Sequence, residues 1–106
     1  MTLDKKADRF VKADALVNEM RAFAKVTDLG RFMRWKEIST GRISIKFDIY
    51  EVNGKCIMSD TLGMVASMGE TKETVMEWLK EHGYVPEKDF YMANGMTEEA
   101  WEEWNA

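Results

Sequence analysis

The chain has 106 residues, 45% hydrophobic and 32% charged, with a net charge of −4 and a pI near 5.0. That balance excludes global disorder and a multidomain organisation: one domain of this length buries roughly two-thirds of its unfolded surface. A single cysteine, Cys56, and a single histidine, His82, exclude an internal disulfide and make a one-chain Cys/His zinc site untenable.

The opening MTLDKKADRF has no apolar run suited to a signal peptide, and no stretch approaches the ~18 apolar residues of a membrane span. No membrane association is expected, and a reducing cytoplasm is the expected compartment. The size also suits a phage or mobile-element product.

Thr2 and Asp4 suit a helix start. Leu3, Phe10, Ala13, Val17, Met20 and Ala24 then recur at threes and fours, which predicts an amphipathic helix to about Lys25. Residues 29–38 read in two ways. Asp28 would cap a short helix with Leu29, Phe32 and Met33 inward, or Met33 and Trp35 alternate with Phe32 and Arg34 along a strand. The short turn Ser39-Thr40-Gly41 favours the strand.

The clearest element follows. Ile43, Ile45, Phe47 and Ile49 fall on one side of a strand, and Ser44, Lys46, Asp48 and Tyr50 on the other. Asn53-Gly54 accepts the positive φ of a type I′ turn, so Arg42 to Asp60 reads as a hairpin. Its apolar side is the expected floor for both amphipathic helices, and Asp48, Tyr50 and Glu51 are expected to be solvated. Cys56 reads as a small buried hydrophobe.

Residues 61–69, with Gly63 and Gly69, fit a strand, a short helix or a crossing loop. A second helix starts near Glu70 and Thr71, turns Val75, Trp78, Leu79 and His82 to one face, and ends at Gly83 and Pro86. Phe90-Tyr91-Met92 fits a short strand or apolar packing. Thr97 caps a last helix, EEAWEEWNA. The predicted fold is α+β: an antiparallel sheet of two to three strands, covered on one face by the N-terminal helix and a later helix, with a short C-terminal helix.

Charge is unevenly distributed. Residues 1–55 carry twelve Lys/Arg against eight Asp/Glu, and residues 56–106 carry three against eleven. The halves either attract each other within the fold or steer charged partners.

Catalytic signals are absent. No Walker loop, GxGxxG or EF-hand spacing occurs. His82, near a helix C-terminus, is explained by the helix dipole and by packing. No catalytic residue, metal or cofactor is expected, and the chain reads as non-enzymatic.

Two binding signals stand out. Trp101 and Trp104 are three apart on one side of the last helix, among Glu98, Glu99, Glu102 and Glu103. Aromatic anchors rimmed by charge suit a protein partner, and the competing reading tucks both rings into the core. Nine methionines, an adaptable residue at partner surfaces, point the same way. In the basic middle, Arg31, Arg34, Lys36 and Arg42 suit phosphates, with Trp35 as a stacking platform. The acidic pI weighs against nucleic acid.

The leading expectation is an acidic inhibitor or adaptor that binds an unidentified protein. A nucleic-acid-binding module is the second reading. The third is an enzyme subunit whose site is completed by oligomerisation, for which a homodimer would serve.

Overall fold

Alternation in the middle of the chain and helical stripes at its flanks produce an α+β fold in the computed structural model, which describes residues 12–106. The elements are α1 (Ala13–Arg21), β1 (Val26–Ile38), β2 (Gly41–Val52), β3 (Lys55–Ser59), β4 (Val65–Glu70), α2 (Lys72–Glu81), β5 (Val85–Pro86), α3 (Glu87–Ala93) and α4 (Glu98–Trp104). The expected helix start at Thr2, with Leu3 and Phe10, lies outside the described residues.

The sheet has five strands in the order β4-β3-β2-β1-β5, every neighbour antiparallel, so the expected two to three strands undercount it. The β2–β3 turn forms as expected: Asn53 (φ 52°) and Gly54 (φ 78°) both take the positive φ that a type I′ turn requires. Residues 29–38 are strand, within the longer β1, whose Trp35 and Lys36 pair with Ser44 and Ile43.

The undecided stretch 61–69 is a turn followed by a strand. Asp60 Oδ1 accepts from the amides of Leu62 and Met64, which reverses the chain and lays Val65–Glu70 beside β3. Phe90-Tyr91-Met92 is helical. Pro86 (φ −53°) precedes α3, and Glu87 and Asp89 occupy its first turn, where the helix dipole favours acids.

The larger correction concerns the faces. The two amphipathic helices do not share a floor. Val75 and Leu79 of α2 bury against Ile49, Cys56, Met58 and Tyr84. Ala13, Leu16 and Val17 of α1 bury against Ile57 and Val65, on the opposite face. The reason lies in β3, where Cys56, Ile57, Met58 and Ser59 are all buried. A central strand buried on both faces gives a continuous apolar run, not an alternating one.

Burial also declines along β2, from Ile49 at 0% exposed to Ile43 at 44%. Only residues 48–52 of β2 pair with β3, so residues 41–45 pair with β1 alone and form an arm with residues 34–38. β5 pairs with Phe32 and Met33 of β1. There the chain leaves the α2 face, and α3 then packs on the α1 face, where Phe90 meets Trp35.

Candidate functional site

Helix α4 has only seven residues and is held by specific contacts at its start. The Thr97 hydroxyl accepts from the Ala100 amide at 3.1 Å, satisfying one orphan donor of the first turn. Lys88 Nζ lies 2.6 Å from Glu98 Oε1 and ties α3 to α4. This ion pair raises the Lys88 pKa, the hydrogen bond to Glu98 being the chief cause.

The aromatic rings join the two helices. Tyr91 of α3 lies 5.2 Å edge-on from Trp104 and 6.3 Å from Trp101, and the two tryptophans are 5.7 Å apart. Neither tryptophan enters a buried core cluster. Trp101 is half-buried and Trp104 is 58% exposed. Glu98, Glu99, Glu102 and Glu103 are all exposed, and Glu98 alone has an ion-pair partner among the described residues.

The five basic-segment residues do not form one surface. β1–β2 register places Arg31, Trp35 and Arg42 on the α1/α3 face, and Arg34 and Lys36 on the α2 face. Arg31 is committed to Asp48 and Glu87. Arg34 lies 5.1 Å over the Tyr84 ring and donates to the Trp35 carbonyl. Arg42 sits 4.2 Å over Trp35, whose indole N–H donates to Asn94 Oδ1 and whose ring lies 5.1 Å from Phe90. Trp35 is thereby built into the α3 contact, and Lys36 remains exposed.

The oppositely charged halves are linked sparingly. Of the four ion pairs among the described residues, only Arg31–Glu87 joins residues 1–55 to residues 56–106.

One site escaped the sequence reading. Asp48 is not a solvated strand carboxylate: its side chain is 16% exposed and receives Arg31 at 2.8 Å and Lys46 at 2.6 Å. Burial pushes this carboxyl up, but the hydrogen bonds from Arg31 and Lys46 outweigh it and hold the pKa below its ordinary value. The hydrogen bond to Asp48 raises Arg31 in turn. Asp28, Gly30, Arg31, Asp48, Tyr50 and Glu87 line a polar cleft of about 370 Å³ here. Burial is the first cause that raises the Tyr50 phenol, and the negative charges of Asp48, Asp14 and Asp28 add to it. The overlooked signal was Lys46 and Asp48, opposite charges two apart on one strand face.

The other titratable groups have structural surroundings. Cys56 is 1% exposed, and burial pushes its thiol pKa up, with Glu51 and Glu73 adding to the effect. His82 stacks on Trp78 at 4.1 Å, and its Nδ1 lies 2.8 Å from the Trp78 carbonyl oxygen. No cluster of three or more potential metal ligands occurs among the described residues, and no described helix is long and apolar enough to cross a membrane. The chain matches no protein-family model, no curated protein and no solved structure, so a functional reading rests on its own chemistry.

Proposed function

We propose that the protein is a small non-enzymatic binding module, of acidic inhibitor or adaptor type, that docks another protein on the α3–α4 surface. The supporting observation is Trp104, 58% exposed on a capped helix and backed by Trp101 and Tyr91. A rigid indole held up by two other rings gives contact area at little entropy cost, the character of an interface anchor. The surrounding glutamates favour a partner segment rich in lysine or arginine and suppress acidic competitors.

The test is capture of partners from the native host with wild type and Trp104→Ala as paired baits, scored against thermal stability. Loss of the anchor should weaken binding of the captured partner by about thirtyfold, the scale of one hot-spot side chain. The melting temperature should stay within about 3 °C, as for an exposed site. A large fall in melting temperature would instead make Trp104 a structural residue and remove the reading.

A further inference from the structure

We propose that residues 6–11 of this chain run along the open edge of β4 as a further antiparallel strand and place the Phe10 ring in the groove between β4 and α2. Among the described residues, β4 has β3 on one side and, on the other, a single antiparallel bridge between Lys12 and Met64. Beside that bridge the Ala13 amide donates to the Gly63 carbonyl at 2.9 Å. Lys12 is itself extended (φ −69°, ψ 128°), so the backbone has strand geometry where it enters α1. The chain thus arrives already aligned with β4. Carried backwards, the same register sets Val11 opposite Val65 and Phe10 opposite Ala66. Residues 6–11 match the 6 residues of β4 in length.

Residues directly opposite each other in an antiparallel pair share a face of the sheet. Val65 is buried among the α1 residues, and Ala66 lines the groove on the other face. Phe47, Met58, Val75 and Trp78 supply the apolar walls, and the volume of about 400 Å³ holds a phenyl ring. Trp78 is 38% exposed there, so Phe10 gains an aromatic neighbour by covering it.

Charge favours the same occupant. Glu70 is the one charged residue in the described groove lining, and none of the ion pairs among the described residues involves it. It lies at the end of β4 that Lys5 and Lys6 reach. Tethering adds to this, because a strand joined to Lys12 meets the open edge at high effective concentration. Once paired, it keeps foreign strands off β4.

The experiment records nuclear Overhauser spectra of the full chain. Because Ala13 donates to Gly63, Lys12 and Met64 form a non-hydrogen-bonded pair, and Phe10 and Ala66 are the next pair of that kind. Their α protons should be in contact, and the Phe10 ring should contact the Ala66 methyl and the Trp78 indole. Phe10→Ala should remove the ring contacts, shift the Ala66 and Trp78 resonances and lower the melting temperature by about 5 °C. Phe10→Leu serves if the alanine variant fails to fold, and loss of the ring current should still move the Ala66 methyl resonance. Absence of the Phe10–Ala66 contacts in the wild type, or Ala66 and Trp78 resonances left unmoved by both variants, would overturn the proposal. So would contacts seen only between differently labelled copies, which would give the groove to a second copy. Phe10 ring contacts confined to α1 would place the ring on the other face and overturn it equally.

Discussion

Arg31 and Asp48 are direct register partners across β1 and β2, and the guanidinium meets both carboxylate oxygens, at 2.8 and 3.3 Å. Planar pairing of this kind fixes geometry as well as charge. Asp48→Asn leaves Lys46 without its anion and Arg31 with Glu87 alone. The expected cost is about 1 to 2 kcal/mol, because Arg31 is half in solvent and screens part of the loss. Urea unfolding at neutral pH measures it.

The same pair sets a pH dependence. The folded pKa of Asp48 is depressed, so its stabilisation is fully present above the ordinary carboxylate value of about 4 and is lost as pH falls through the folded value. The stability gap between wild type and Asp48→Asn should therefore close in acid. Denaturant midpoints at neutral pH and near pH 2 provide the check, and a gap that stays constant would contradict the pairing.

Two substitutions on one side of β2 should separate scaffold from arm. Phe47 packs against Trp78 and Tyr84, at centroid distances of 5.6 and 5.1 Å. Phe47→Asp places an unpaired charge there and should unfold the domain. Ile43 is 44% exposed on the arm, and Ile43→Asp should cost less than about 1 kcal/mol. Circular dichroism melts of both variants test the contrast. A folded Phe47→Asp protein would show that the α2 face is wrongly identified.

Cys56 should resist alkylation. It is buried, and its raised pKa leaves little thiolate. Ellman's reagent should react slowly with the native protein and rapidly in denaturant. Fast native reaction would place the thiol outside the α2 core.

Nucleic acid should not be retained at physiological salt. The four basic residues are divided between two faces, and three of them, Arg31, Arg34 and Arg42, lie against rings or carboxylates. Fluorescence anisotropy with labelled duplex and single-stranded DNA measures this. Tight binding that is lost in Lys36→Ala with Arg42→Ala would return the arm to the functional surface.

Much of the scaffold was legible because it rests on local periodicity. The alternation from Ile43 to Ile49, the Asn53-Gly54 turn and the helical stripe around Val75 and Leu79 each depend on near neighbours. Strand count and facing depend on partners far along the chain. β4 was obscured because Asp60, not an apolar pattern, makes its turn. The second face was obscured because Cys56-Ile57-Met58 is too short a run to declare two-sided burial. At the surfaces, composition singled out the tryptophan helix, but Asp48 became a half-buried hub only when Arg31 arrived from a different strand.

The two-residue strand at Val85–Pro86 has a mechanical consequence. The helices after it meet the sheet through buried Phe90 on Trp35, the Trp35–Asn94 hydrogen bond and the Arg31–Glu87 pair. Segments with few tertiary ties open at lower free energy than the elements they cover. Residues 87–106 are therefore expected to open before β2 and β3, which are clasped between α1 and α2. A partner gripping this unit would also clamp it to the sheet, coupling recognition to the order of the chain's C-terminal fifth.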